Sequence, residues 1–142
     1  MVIGFYTYGN HQMGMGHIYR CLTLMNSIRK RWTDAEIVFE LKDFYQGIKT
    51  VQQNTSVSMN VWEPEKIPDK EWDILFVDQL SVDPIEMKAL KSQTKRYLIS
   101  IDDAGAGHYE ADFAFNSLYK CKTRKPVYGK TQSYWGFKYL IL

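Results

Sequence analysis

The segment Gly14-Met15-Gly16-His17, with Arg20 one helical turn further on, is the first place in this sequence where residue types and spacing suggest chemistry. Glycines at 14 and 16 allow backbone conformations closed to other residues and a close approach by a ligand. A helix opening at His17 presents unpaired N–H groups and the positive end of its dipole, both suited to an anion. The same dipole disfavours protonated imidazole, so His17 is expected to stay neutral and able to accept a proton. Arg20 falls on the same helical face and could hold a phosphate or carboxylate bidentately. Three carboxylates, Asp78, Asp102 and Asp103, each follow a short apolar run. Spacing alone leaves a plainer alternative open, in which the glycines only make a strand-to-helix turn and His17 caps the helix.

Whether these groups meet depends on the elements that carry them. Val2–Tyr6 is an apolar run, and Thr7–Gly16 a loop rich in Gly, Asn and His. The spacing of Ile18, Cys21, Leu22, Met25 and Ile28 predicts a helix over His17–Trp32, with Arg29, Lys30 and Arg31 in its last turn. Glu36–Leu41 reads as a second strand, Asp43 as the cap of a helix over Phe44–Gln53, and Ser56–Val61 as a third strand. Pro64 and Pro68 mark Glu63–Lys70 as a loop, and Ile74–Val77 is wholly apolar, as a strand covered on both faces should be. Asp83 is the predicted N-cap of a helix over Pro84–Lys91. Arg96–Ile101 and Phe113–Phe115 are further strands. Strands alternating with helices imply βαβ units joined by right-handed crossovers. The expected fold is therefore α/β, a Rossmann-like three-layer sandwich with a mainly parallel sheet. Ligands of such sheets bind beyond the carboxyl ends of the strands, which places His17, Arg20 and the three aspartates along one edge.

Composition narrows the function classes. With 142 residues, 45% of them hydrophobic, and a net charge of +2, the chain is one domain's worth of globular polypeptide. No stretch approaches the roughly 18 consecutive apolar residues of a membrane span, and no basic segment precedes Val2–Phe5 as in a secretory signal. Cys21 and Cys121 match no disulfide or zinc framework, so a reduced, cytoplasmic protein is expected, with no metal. Lys120, Lys122, Arg124, Lys125 and Lys130, interleaved with Tyr119 and Tyr128, read as a solvated loop rather than a nucleic-acid contact, because acidic residues elsewhere nearly balance the charge. A dinucleotide fingerprint would need a third glycine where Tyr19 stands, even though Glu40 could imitate the ribose-binding acid; no such cofactor is expected. Cys21 reads as a small buried thiol. Asp102 and Asp103 could hold a metal, although a solvated strand-end pair is the commoner arrangement. Gly105-Ala106-Gly107-His108 reads as a turn that could bring His108 to the cleft. The run Ser133–Leu142, aromatic and aliphatic to its last residue, suggests a chain cut from a larger two-domain enzyme.

The string Gly14-Met15-Gly16-His17-Ile18-Tyr19-Arg20-Cys21-Leu22, opening a helix after the first strand, resembles the G-x-G-H-x-x-R-C-L segment of a nucleotide-sugar enzyme group. That group contains the UDP-sugar hydrolases of the pseudaminic acid pathway and the spore coat polysaccharide biosynthesis proteins, with the two-domain GT-B fold. The resemblance continues in order through Trp72–Asp78, Ile101-Asp102-Asp103, Asp112–Asn116 and Tyr134–Leu140. It departs after Asp78, where Gln79 and Leu80 replace His and Tyr, and after the first strand, where Tyr6 and Tyr8 replace Arg and Asp. The resemblance implies that residues 1–142 form the N-terminal, sugar- or acceptor-side domain of such an enzyme, either hydrolase or glycosyltransferase. His17 would act as base near the anomeric carbon of a UDP-sugar, and Asp78 would orient water or sugar. Gly14, Gly16, Arg20, Asp102, Asp103 and Asn116 would contact the substrate. A separate C-terminal domain would supply most of the nucleotide site, leaving the isolated domain inactive. A non-catalytic nucleotide-binding or assembly module is the alternative.

Overall fold

A computed structural model describes residues 1–117 and 130–141. Cys121, most of the basic stretch and the last residue lie outside the described residues. The elements in chain order are β1 (Val2–Thr7), α1 (Gly16–Arg31), β2 (Glu36–Lys42), α2 (Tyr45–Asn54), β3 (Ser58–Trp62), β4 (Trp72–Asp78), α3 (Pro84–Gln93), β5 (Thr94–Ile101), β6 (Phe113–Asn116) and β7 (Gln132–Trp135). Two 3-10 turns, Ala106–Glu110 and Phe137–Tyr139, flank β6 and β7.

All seven strands are parallel, in the order β3-β2-β1-β4-β5-β6-β7, which makes the fold a Rossmann-like α/β sandwich. The chain first walks outward from β1 to β3, then crosses back and walks outward on the other side of β1. Right-handed connections travelling in opposite directions must lie on opposite faces. Accordingly α1 and α2 share a core with Ile3, Phe5, Phe39 and Leu41, whereas α3 packs on Leu75, Val77 and Leu98 on the other face. The second core is also tied across the sheet by the Tyr6 hydroxyl, which donates to Glu86 at 2.8 Å.

Local signals explain most element boundaries. Asp83 accepts a hydrogen bond from the Ile85 amide at 2.7 Å with Pro84 in the first turn, so α3 starts where its cap predicts. Asp43 does not cap α2. The backbone stays extended through Phe44, and the Asp43 amide instead donates to the Trp62 carbonyl at 2.8 Å. The helix therefore begins at Tyr45, beyond the reach of the Asp43 side chain. β7 had no expectation in sequence because it is a four-residue edge strand of mixed polarity, held to β6 by its ladder and by the stacking of Tyr134 on Phe115.

Candidate functional site

The reversal in strand order falls between β1 and β4, and the loops leaving those two strands diverge there. The loop after β1 is built locally. Asn10 Oδ1 accepts from the amides of Gln12 (3.0 Å) and Met13 (2.7 Å), and Asn10 bridges to Gly14. Gly14 has φ +89°, a conformation that a side chain would strain. α1 then opens at Gly16 with no side-chain cap, so His17 is not the cap that the plainer reading required. A Cβ at Gly16 would meet no atom within 4 Å, so protein packing does not require its small size.

From that start, α1 aims His17, Arg20 and Cys21 at the carboxyl end of β4. The His17 Nδ1 lies 2.6 Å from Asp78 Oδ1. Arg20 donates from Nε to Asp78 Oδ2 and from Nη2 to Asp78 Oδ1, both at 2.6 Å, and from Nη1 to Asp102 Oδ2. Asp78 is 0% and Arg20 9% exposed, so these ion pairs stand out of water. Burial works against the Arg20 charge, but the hydrogen bonds and charges of Asp78 and Asp102 outweigh it and push its pKa up. Three of the five guanidinium N–H groups are thus spent on the chain's own carboxylates. Thr7 fixes the same strand end by donating its hydroxyl to the Asp78 carbonyl at 2.8 Å.

The tautomer of His17 follows from these contacts. Nδ1 faces a carboxylate oxygen, which can only accept, so Nδ1 carries a proton and donates it. Arg20 Nη2 also lies 3.2 Å from Nδ1, but two donors cannot bond each other. Both point at the shared acceptor, Asp78 Oδ1. In the neutral ring Nε2 is then left as the acceptor. The His17 side chain is 12% exposed, at the wall of a cavity of about 270 Å³ lined by Met13, Gly16, His17, Arg20, Leu80, Asp102 and Ile141.

Not every sequence candidate reaches this cavity. Asp102, at φ +48°, turns back toward Arg20 and accepts from the Ser117 amide at 2.6 Å and from its hydroxyl. Asp103 points away, accepting from the amides of Val82 (3.0 Å) and Gly105 (2.7 Å), and burial pushes its pKa up. Both aspartates are at most 3% exposed, so the solvated strand-end pair is not what forms. Asn116 is buried outside the cavity lining, with no partner for its amide among the described residues. His108 does not reach the cleft. It is buried in the Ala106–Glu110 turn, with its Nδ1 on the Gly105 carbonyl at 2.6 Å and its ring near Trp135. Glu40 is wholly buried and accepts from Asn60, Trp62 and Trp72, a structural role. Cys21 is the buried thiol expected, its pKa raised well above normal, chiefly by burial. No group of three or more His, Cys, Asp or Glu residues among the described residues is arranged to hold a metal ion.

Sequence reasoning gave no site role to Tyr8 and Leu80, noted only as departures from the family pattern, and did not single out Met13, Ser117 or Ile141. Tyr8 accepts from the Leu80 amide at 3.1 Å and its ring sits 5.6 Å from that of His17. The strand-end rule that singled out Asp78 also covers Tyr8 and Leu80, one residue beyond β1 and two beyond β4. No local pattern signals Ile141.

No protein-family model matches this chain. It is 29% identical over 150 residues to an uncharacterized protein of Methanocaldococcus jannaschii, a match covering all of this chain and 31% of that protein. It is 24% identical over 151 residues to the spore coat polysaccharide biosynthesis protein SpsG of Bacillus subtilis, covering all of this chain and 43% of that protein. The chain thus spans less than half the length of these curated relatives. No helix among the described residues is long and apolar enough to cross a membrane.

Proposed function

We propose that this chain is the sugar- or acceptor-side domain of a nucleotide-sugar enzyme in surface or spore coat polysaccharide biosynthesis. In this reading the domain is the N-terminal part of a two-domain GT-B enzyme, whose other domain holds most of the nucleotide. The observation that carries it is the His17–Asp78 pair, at 2.6 Å, with His17 in the wall of a cavity at the switch point of the sheet. The distant similarity to SpsG, over the full chain, supports the pathway.

The chemistry is a displacement at the anomeric carbon of a UDP-sugar. His17 Nε2 takes a proton from the attacking oxygen, which is that of water in a hydrolase or of a sugar hydroxyl in a transferase. As that oxygen bonds to C1, the C1–O bond to the nucleotide breaks and UDP leaves with the electron pair. Asp78, paired with Arg20, stabilises the imidazolium that forms. The α1 amino terminus and the open space at Gly16 favour an anionic group of the substrate lying close to the backbone.

The test is UDP release by the full-length enzyme from a panel of UDP-sugars, with and without acceptor. His17→Ala should lower kcat by roughly 10²–10⁴ while leaving substrate binding largely intact. An unchanged rate removes His17 from the mechanism. Tight UDP binding with no turnover under any condition favours a nucleotide-binding module instead.

A further inference from the structure

A single hydrogen bond does not set the plane of a ring. The contact of His17 Nδ1 with Asp78 Oδ1, at 2.6 Å, fixes one corner of the imidazole. The ring can still turn about that axis, since hydrogen bonds to carboxylate oxygens accept a broad range of directions, and the heading of Nε2 turns with it. Fixing the plane takes a second contact, against the ring itself. Tyr8, the first residue beyond β1, makes one: its ring centroid lies 5.6 Å from that of His17, with the two planes 58° apart. Aromatic rings attract each other at that separation and tilt.

Tyr8 is itself held from several sides and is only 9% exposed. Phe44, just ahead of α2, meets its ring edge-on at 5.9 Å. The Lys42 ammonium lies 5.9 Å from the ring centroid, where the negative face of an aromatic ring attracts a cation. Glu86 anchors that ammonium at 3.4 Å and also accepts from the Tyr6 hydroxyl. The Tyr8 hydroxyl crosses the gap between β1 and β4 to accept from the Leu80 amide at 3.1 Å. Leu80 and His17 line the same cavity. Burial pushes the Tyr8 pKa up, so the hydroxyl stays protonated at neutral pH and is not a second base. We propose that Tyr8 is the positioning residue of the site: its ring sets the plane of the His17 imidazole, and its hydroxyl holds Leu80 in register with that ring. The proposal rests on the reading of His17 as the base, and it divides Tyr8 into two duties. Loss of the ring lets the imidazole turn, which lowers kcat. Loss of the hydroxyl alone loosens the cavity wall, which raises KM.

The full-length enzyme, assayed with the UDP-sugar it turns over fastest, separates the two duties. Tyr8→Leu should lower kcat roughly 10–100-fold, the scale of a misaligned catalytic group. Tyr8→Phe keeps the ring, so its kcat should stay within about 2-fold of wild type while KM rises about 2–10-fold, the effect of one lost hydrogen bond. A wild-type kcat in Tyr8→Leu overturns the proposal, and so does a loss of kcat in Tyr8→Phe as large as in Tyr8→Leu. The proton on His17 Nδ1 gives a readout independent of turnover. In a held ring it exchanges slowly with water and shows a resolved downfield NMR signal in protein carrying isotope-labelled histidine, assigned by its loss in His17→Ala. That signal should be present in wild type and in Tyr8→Phe and broadened away in Tyr8→Leu. Its absence from wild type, or an equally sharp signal in Tyr8→Leu, overturns the proposal. Turnover that survives His17→Ala overturns the base reading instead, and the proton signal still decides whether Tyr8 holds the ring.

Discussion

Arg20 is the residue on which the site geometry turns, and its replacement gives the sharpest test. Arg20→Met keeps most of the volume and helix propensity but removes the guanidinium that bridges two carboxylates, 0% and 3% exposed. Taking one partner from a buried ion pair leaves an uncompensated charge and costs about 3–5 kcal/mol. For a domain of this size each kcal/mol moves Tm by about 2–4 °C, so the variant should melt roughly 6–20 °C lower at neutral pH. Arg20→Lys should recover only part of that loss, because an ammonium cannot reproduce the three-point fork across Asp78 and Asp102. The pH dependence identifies the cause. Protonating a carboxylate removes the charge that the guanidinium balanced, so the deficit of Arg20→Met should be greatest near neutrality and shrink as the medium is acidified. Paired urea denaturation of wild type and variant across pH measures this directly. A deficit below about 1 kcal/mol, the size typical of an exposed pair, would refute the claim that the cluster is closed to water. A large deficit that does not change with pH would refute its electrostatic origin.

Two further changes probe other parts of the fold. A Cβ at Gly47 in α2 would sit 2.8 Å from the Gly9 carbonyl oxygen, so Gly47→Ala should destabilise by about 1–3 kcal/mol, although the same change in an open helix stabilises by up to about 1 kcal/mol. A rise in the urea midpoint would show that the loop after β1 is not clamped on α2. Burial pushes the Glu40 carboxyl up against the opposing pull of its Trp62, Asn60 and Trp72 donors. A raised folded-state pKa means that the contribution of Glu40 to stability is complete below the ordinary glutamate range and is lost as pH rises through the folded-state value. Glu40→Gln has no such proton to lose, and its amide nitrogen facing a donor adds a penalty that does not vary with pH. The stability of the variant relative to wild type should thus improve between about pH 4 and 7, and a flat or falling difference would count against the burial argument.

What the sequence made legible was what short-range physics determines. The apolar runs of β1, β2 and β4, the periodic face of α1, the Asp83 cap and the inert Cys21 all follow from neighbours within a turn or two. The strand-end rule then brought His17 and Asp78 to the same edge. It could not show that Arg20 would be committed to internal carboxylates, because its partners lie 58 and 82 residues away and adjoin it only through the β1-β4-β5 order. The burial of Asp102 and Asp103 was illegible for the same reason. Gly105 is a local donor to Asp103, but Val82 and Ser117, 21 and 15 residues from their carboxylates, complete the set that lets them leave water. Asp43 fails as a cap through another contact beyond its own turn, with Trp62 in β3.

A single topological event accounts for both the candidate site and the apolar cavity beside it. When the chain, having reached β3, returns across β1 to start β4, the loops on either side of that junction part, and the α1 amino terminus is left facing the end of β4 across the gap. That gap is where His17 and Arg20 meet Asp78. The connections from β4 to β5 and from β5 to β6 lie on the α3 side, and on the other side Phe76, Ile99 and Phe115 line a second cavity, of about 420 Å³, with Leu24 of α1. The site and this second cavity therefore share α1 as a common wall, His17 and Arg20 at its amino end and Leu24 one turn on. Packing around Leu24 and the alignment of the His17–Asp78 pair are consequently coupled. Substituting Leu24 by alanine in the full-length enzyme should lower kcat more than its distance from substrate would suggest, and unchanged kinetics would show that the two ends of α1 act independently.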